Sequence, residues 1–534
     1  MSEKFVVIAA DKISISGLVP LTEDDRFEVL VPDGWSPEKM QAALGRAHGL
    51  IVRSATKVTR ELLEQAPNLK VVGRGGVGVD NIDLAAATEL GIPVINAPEG
   101  NTVSAAELSM ALILTVARNV SWADASVQDG SWARSQFSGI ELRGRTLALV
   151  GAGRIGTEVA LRAQAFGMET IASDPYLTEE RANELGIERV ELEDVLARGD
   201  VISLHVPLTP QTEGMIGEAE LKAMKPTAIL VNAARGGVVD ESALVAALEA
   251  GEIAAAALDV YTTEPLAEDS ELRGVKNLLL TPHLGASTSE AQELVAREIA
   301  QGVRDALLEG DLSKALNAPA IGGEDLEFLR PLMDLAGRVG RVAGVLGRGG
   351  MQRVDISVAG LDEEILGPLT AAAMTGVLTP VVGARNVNYV NALHLAEERS
   401  IEIATSLQPP RDDYAKFLEI VLQTEDVKLS VAGALLGEQH HPRIVQIDGY
   451  ALSVYPQGCL IVLRNNDVPG VIGRVGTLLA EHGLNIAEYI QSREAKGGLA
   501  LAAVSVDGRV SSEVLEALGE DEDISDARAV YFDG

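Results

Sequence analysis

Cysteine is almost absent from this chain: one residue, Cys459, in 534. No intrachain disulfide can form, and a cysteine-type zinc site is excluded; no metal site is expected. Aromatic residues are also scarce, at 3%, so the cores must be built from Ala, Val, Leu and Ile. Packing of that kind suits helices laid on parallel strands. Basic residues are outnumbered, 44 Lys and Arg against 78 Asp and Glu, giving a formal net charge of −34. Such a field repels DNA, RNA and anionic lipid, so neither nucleic acid nor membrane is expected as a partner. An anionic substrate would have to be met by arginines clustered against that field.

Long unbroken apolar runs are missing as well. The longest uncharged stretch, 365–384, carries Gly367, Pro368, Gly376, Pro380 and Gly383. These breakers argue against a membrane helix and for buried loops and short elements. The start, MSEKFVVIAADK, lacks the basic and apolar regions of a signal peptide, so a cytoplasmic protein is expected.

What is present is a succession of α/β patterns. The length implies several domains. FVVIAA, GLIV, KVVGRGG and PVINAP read as buried parallel strands, with helices at 36–48 and 81–90, a doubly wound unit. Residues 102–119 carry a long helical pattern that Asn101 or Thr102 could cap. A second unit starts at Arg145 with TLALVGAGRIG, and strands are expected at 146–150, 169–173, 200–205, 228–232, 254–258 and 277–280. A helix over 288–309 would return to pack on the first unit. After a Pro/Gly-rich linker at 310–325 comes a mixed segment with strands such as RVDISVAG and KLSVAGALL. The last 75 residues run β-α-β-β-α-β, the ferredoxin-like plan. The expected boundaries are 1–98 with 289–318, then 99–288, 319–455 and 456–534.

Gly151-Ala152-Gly153-Arg154-Ile155-Gly156 follows an apolar strand and opens a helix. The first glycine permits the tight turn, the second lets a pyrophosphate approach the backbone, and the third lets helix and strand pack closely. The phosphates would sit at a helix N-terminus. Asp174 ends the next strand, where a carboxylate accepts from a ribose 2′-OH and repels a 2′-phosphate, so NAD is expected over NADP. The plainer reading of Asp174 is a loop residue before Pro175.

Three later segments place polar residues in apolar or tightly turned contexts: NAARGGVVDE with Arg235, DVYTTEP with Glu264, and TPHLGAST with His283. Hydride transfer from a hydroxy acid needs a cation for the carboxylate and C2 oxygen, a near-neutral base, and a carboxylate to orient that base. Arg235, His283 and Glu264 fit those roles in that order. Singly, each could be a surface turn or a satisfied core residue.

Together, GAGRIG, NAARGGVVDE, ALDVYTTEP and TPHLGAST resemble the signature segments of the D-isomer-specific 2-hydroxyacid dehydrogenases, over about residues 4–310. The resemblance implies two doubly wound parallel-sheet domains, for substrate and for NAD (Rossmann), whose cleft closes on substrate. It makes Arg235, Glu264 and His283 catalytic. It sets NAD against Arg154 and Ile155, Asp174, His205-Val206-Pro207, Ala233-Ala234-Arg235, Asp259, and the turn of His283, Gly285 and Ala286. His205 receives no proton role.

Arg53-Ser54 and Arg74-Gly75 follow strands of the first unit, where strand ends face the cleft. Two arginines there would bind a phosphate, and surface ion-pairing is the duller alternative. Asn101 could reach substrate or cap its helix, and Arg134 could be donated to a neighbouring subunit's cleft. GRGGVGVDNID followed by NAPEGNTVSAAE resembles the phosphoglycerate dehydrogenases within that family. This implies 3-phosphoglycerate oxidation to 3-phosphohydroxypyruvate, at the start of serine biosynthesis.

The end of the chain, IVLRNNDVPGVIGRVGTLLAEHGLNIAEYI, resembles an ACT domain, which implies side-by-side pairing with an amino acid at the interface. Asn465, Asp467 and Asn485 fall where this enzyme family holds serine, or are turn residues only. A homo-oligomer, dimer or tetramer, is implied. The 319–455 segment resembles the α+β intervening domain of long-form relatives, where His440, His441 and Arg443 could meet an anion. The competing expectations are another D-2-hydroxyacid dehydrogenase, acting on 2-hydroxyglutarate or glycerate, and an NAD-responsive corepressor-like protein.

Overall fold

Among the residues described by the computed structural model, 4–322, 325–411, 413–437 and 440–532, the strands form four sheets. The first is parallel, in spatial order Phe27–Leu30, Phe5–Ala9, Gly49–Val52, Val71–Arg74 and Val94–Asn96. Its central strands are buried on both sides, as continuous aliphatic runs require. The edge strand Phe27–Leu30 carries Glu28 and buries only Phe27, so it has no continuous apolar run to reveal it.

The second sheet has seven parallel strands. Their order is Leu278–Leu280, Ala255–Leu258, Ile229–Asn232, Val201–Leu204, Thr146–Val150, Glu169–Ser173 and Glu188–Arg189. Strand order reverses between Val201–Leu204 and Thr146–Val150, and the loops beyond their carboxyl ends flank the crevice where such sheets bind ligands. Helix Ser289–Glu309 starts on the Thr288 side chain, which accepts the Ala291 N–H, and stops at Gly310, φ +69°. It returns to the first sheet, setting Val295, Ile299 and Val303 against Val7, Ile51 and Val71. Gly73 makes room for this, since a Cβ there would come within 2.8 Å of both Ile299 and Val303 side chains.

The third sheet is antiparallel except for the pair Met351–Ala359 and Glu402–Gln408. Helices Asp325–Leu346 and Leu366–Val382 share its core. The second of these overturns the expectation of loops and short elements across 365–384. It is one helix of 17 residues. Pro368 lies in the first turn, whose N–H groups have no helical partner anyway, and Pro380 in the last. The glycines are contact points, not breakers. A Cβ on Gly376 would overlap the Gly337 carbonyl, and one on Gly340 or Gly344 would overlap that of Ala373 or Val377. By length and composition the stretch could cross a membrane, yet here Leu369, Met374, Val377 and Leu378 fill a core.

The fourth sheet, Ile486–Arg493, Leu499–Val506, Cys459–Asn466 and Ile524–Tyr531 in spatial order, is antiparallel. One face holds its two helices. From the other, Leu460, Val462, Leu501, Ala503 and Val530 enter the core of the third sheet. Arg341 donates to the Tyr531 carbonyl at 2.8 Å, and Arg348 pairs with Asp526 at 2.6 Å. The third-sheet body grips the first through amides. Asn388 donates to Gly91 O at 2.8 Å and Asn391 to Glu89 O at 3.2 Å.

Candidate active site

A cavity of about 460 Å³ opens between the first two sheets. The ends of first-sheet strands and the loops after them bring Arg53, Ser54, Arg74, Gly75 and Asn101, while loops of the second bring Gly153, His205, Arg235, Glu264 and His283. Val206, Pro207, Ala233, Ala234, Arg154, Ile155, Gly285 and Ala286 complete much of its wall.

His283 Nδ1 donates to Glu264 Oε2 at 2.7 Å, which leaves Nε2 available for a proton. The residue is held at φ +54°, a region a non-glycine adopts only under restraint. The restraint is Asp259. Fully buried, it accepts from Thr281 Oγ1, Leu284 N and Gly285 N, at 2.6, 2.8 and 3.0 Å, around the histidine turn. Asp259 therefore shapes the turn from which His283, Gly285 and Ala286 line the cavity. Burial raises its carboxyl above the usual range. Burial also acts on Glu264, but the His283 hydrogen bond and charge outweigh it and hold that carboxyl low.

Arg235 donates to its neighbour's carbonyl, Ala234 O, at 2.6 Å and reaches across the cleft to Asp80, 3.4 Å from Nε. Arg74 is largely buried, and its Nε has no partner. Burial first, then Arg235, push it down to about 10. Such a group calls for an anion. Arg53 sits on a turn held by Asp11, whose Oδ2 accepts the Arg53 and Thr56 N–H groups, both at 2.9 Å. Asn101 makes no side-chain cap; its Oδ1 is buried without a partner at the cavity. The helix-capping alternative falls away.

The glycine turn fits a dinucleotide. Gly151 has φ +91°, a Cβ at Gly156 would overlap Gly151 O, and at Gly153 the space is open. Asp174 accepts the Ala152 and Tyr176 N–H groups, each at 2.8 Å, so it braces this turn beside the cavity wall. His205, hydrogen-bonded to Ser203 at 2.9 Å, is pushed down to about 4 by burial. Arg134 is exposed and outside the cavity of its own chain. Val77, Gly78, Asp80, Pro98, Pro282 and Ser287 also line the cavity and were not singled out from the sequence. Asp80 lay within the GRGGVGVDN segment, but nothing local marks its partner across the cleft.

The C-terminal trio is not brought together in one chain. Asn465 stands opposite Ala500, and Ala500 opposite Arg493, at one end of the fourth sheet. Asn485 precedes Ile486, which aligns through Val506 with Cys459 at the other end. Six strand residues separate the ends, about 20 Å. Asp467 accepts from Arg493 at 2.7 Å and Gly497 N at 3.0 Å; Asn485 donates to Asp507 at 2.8 Å. Asn465 Oδ1, Tyr489 OH and Gln491 Oε1 are buried without partners. Arg443 is 3.8 Å from Glu488 and lies over the Tyr455 ring, so the basic patch is partly neutralised.

Comparison with known proteins defines the class first. Residues 110–285 match the family model described as D-isomer specific 2-hydroxyacid dehydrogenase, NAD binding domain. Among solved structures, a formate dehydrogenase from Staphylococcus aureus in complex with NAD matches with TM-score 0.51 and 29% identity, over 57% of this chain and 96% of that one. A glyoxylate reductase from Paecilomyes thermophila matches with TM-score 0.53 and 30% identity, over 59% and 99%. The chain is an NAD-dependent oxidoreductase of that class. Residues 328–448 match the D-3-phosphoglycerate dehydrogenase intervening domain, and 460–523 the ACT domain. Proteins named D-3-phosphoglycerate dehydrogenase align along nearly the whole length. That of Archaeoglobus fulgidus is 40% identical over 98% of this chain and 99% of its own. That of Mycobacterium tuberculosis is 42% identical, over 96% of each. The chain belongs to the D-3-phosphoglycerate dehydrogenase family.

Proposed function

We propose that this protein oxidises 3-phospho-D-glycerate to 3-phosphohydroxypyruvate with NAD, opening serine biosynthesis in the cytoplasm. One observation carries the substrate: Arg53, Arg74 and Arg235 line the same cavity as the His283–Glu264 pair, in a chain of net charge −34. A substrate with a phosphate and a carboxylate suits that many guanidiniums better than a plain hydroxy acid. Arg53 and Arg74, with Ser54 and Gly75, hold the phosphate. Arg235 grips the carboxylate and polarises the C2 oxygen, and the Asn101 amide faces the substrate between them.

When bound against Gly151 to Gly156, Asp174, the 205–207 and 233–235 segments and the histidine turn, NAD supplies the hydride acceptor. His283 Nε2 takes the C2 hydroxyl proton as the C2 hydride leaves. Glu264 fixes the ring by accepting from Nδ1 and stabilises the imidazolium that forms. Cavity walls from both sheets exclude water around the reacting carbon. The division of labour is substrate handling by 1–98 with 289–318, cofactor handling by 99–288, and regulation by 319–455 and 456–534.

The protein works as a homo-oligomer inhibited by L-serine. Antiparallel pairing of two copies of the edge strand Ile486–Arg493 would set the partner's Asn485 beside Asp467 and Asn465, completing an amino-acid site. Asp467 suits the ammonium group and the amides the two ends of the ligand. Arg134 then serves a neighbouring cleft. NADH formation from 3-phosphoglycerate, measured with and without serine, tests both halves. Turnover of glycerate or 2-hydroxyglutarate in preference to the phosphorylated acid would overturn the substrate, and an unchanged rate with serine would overturn the regulation.

A further inference from the structure

We infer that Asp80 is a positioning residue, which registers Arg235 from across the cleft against the phosphate-binding loops of the first sheet. The inference deepens the dehydrogenase reading above and rests on it. Asp80 belongs to the loop after strand Val71–Arg74, whereas Arg235 follows strand Ile229–Asn232 of the other sheet. Their ion pair, Nε to Oδ2 at 3.4 Å, therefore spans the cleft. It is the only ion pair of Asp80 among the described residues, and its side chain is 64% exposed, so no core packing explains the residue.

Local sequence is shaped around the contact. Gly78 lies where any Cβ would overlap Arg235 Nη2 and come within 2.8 Å of Asp80 Oδ2, so a bare backbone is what admits the guanidinium. The adjacent Asn81 faces the other way. Its Nδ2 donates to Arg53 O at 2.7 Å and Thr56 O at 2.6 Å, the turn that carries the phosphate arginine. Two consecutive residues thus tie the Arg53 turn and the Arg235 guanidinium to one loop, itself rooted beside Arg74.

Hydrogen-bond capacity separates positioning from competition. Arg235 has five N–H donors. One Nη1 hydrogen goes to Ala234 O, and Nε faces Asp80. The Nη2 group and the second Nη1 hydrogen remain for a substrate carboxylate, so Asp80 and the substrate can hold the guanidinium together. Without Asp80, Arg235 is tethered only to the backbone beside it and faces Arg74 with no counter-charge between them.

The test compares Asp80→Asn and Asp80→Glu with the parent enzyme. Three readouts are taken: steady-state oxidation of 3-phosphoglycerate, NADH affinity, and oxalate titrated into the NADH-loaded enzyme. For Asp80→Asn, kcat falls about 10–100-fold while KM moves by no more than about threefold, because the phosphate contacts dominate ground-state binding. Oxalate, which has no phosphate to anchor it, binds about tenfold more weakly. NADH affinity stays put, and Asp80→Glu recovers part of kcat. Unchanged kcat and oxalate affinity would overturn the inference. So would tighter oxalate binding, which would make Asp80 a competitor, or a matching loss of NADH binding, which would make its role structural. If the parent leaves 3-phosphoglycerate untouched yet Asp80→Asn still weakens oxalate, the substrate assignment fails and the role of Asp80 stands.

Discussion

In the cleft, Arg53, Arg74, Arg235, Glu264 and His283 arrive on separate loops and line one cavity of a single chain. In the C-terminal sheet, Asn465 and Asp467 stand at one end of a strand and Asn485 at the far end of another. Parallel sheets deliver every strand's carboxyl end to the same edge, so two of them facing each other assemble a site without help. An antiparallel sheet alternates its ends, and residues at opposite ends meet only when a second sheet is laid alongside. The residues of the cleft thus meet within one chain, and those of the C-terminal trio do not.

The largest effect that would break this comparison comes from the base. His283→Asn lowers kcat by about a thousandfold or more, measured as NADH formation, with NAD affinity retained. Mixing this variant with Arg235→Gln in one oligomer restores nothing, since Arg235 and His283 reach each cleft from the same chain; recovered turnover would show that the two come from different chains. Next comes Arg53→Ala, which raises KM for 3-phosphoglycerate about a hundredfold if one charged contact contributes about 1.5–3 kcal/mol. An unchanged KM would point to a different acid.

The regulatory end should behave in the opposite way on mixing. Asp467→Ala and Asn485→Ala each abolish inhibition by serine, yet a hybrid of the two regains it at one intact site of two. Failure to regain it would mean that each chain binds its own effector. The smallest effect concerns acid stability. His205 is held near 4 when folded against 6.5 when free, so between those values the unfolded chain takes up a proton that the folded chain refuses. Stability falls as pH drops through that window. His205→Gln flattens the fall by about 1–3 kcal/mol, read from melting curves at pH 7.5 and 4.5.

Much of the two parallel sheets could be read in advance, because strands buried on both faces are short aliphatic runs ended by turn residues. The gathering of Arg235, Glu264 and His283 at one cavity was legible for a similar reason: polar side chains stand out when set in such surroundings. What escaped depends on partners remote in sequence. Gly376 looks like a helix breaker until Gly337 is seen against it. Asp259 braces the histidine turn through Thr281, Leu284 and Gly285, partners 22 to 26 residues away. Asp80 looks like one acid among 78, and only the opposite wall of the cleft gives it a role.

The fourth sheet leaves Leu460, Val462, Leu501, Ala503 and Val530 inside the core of the third. The ACT domain is consequently not a bead on a string. Excised on its own, it would present an oily flank to water and clump, and it cannot be grafted onto another enzyme without its neighbour. The body it packs against is fastened in turn to the first domain at Glu89 and Gly91.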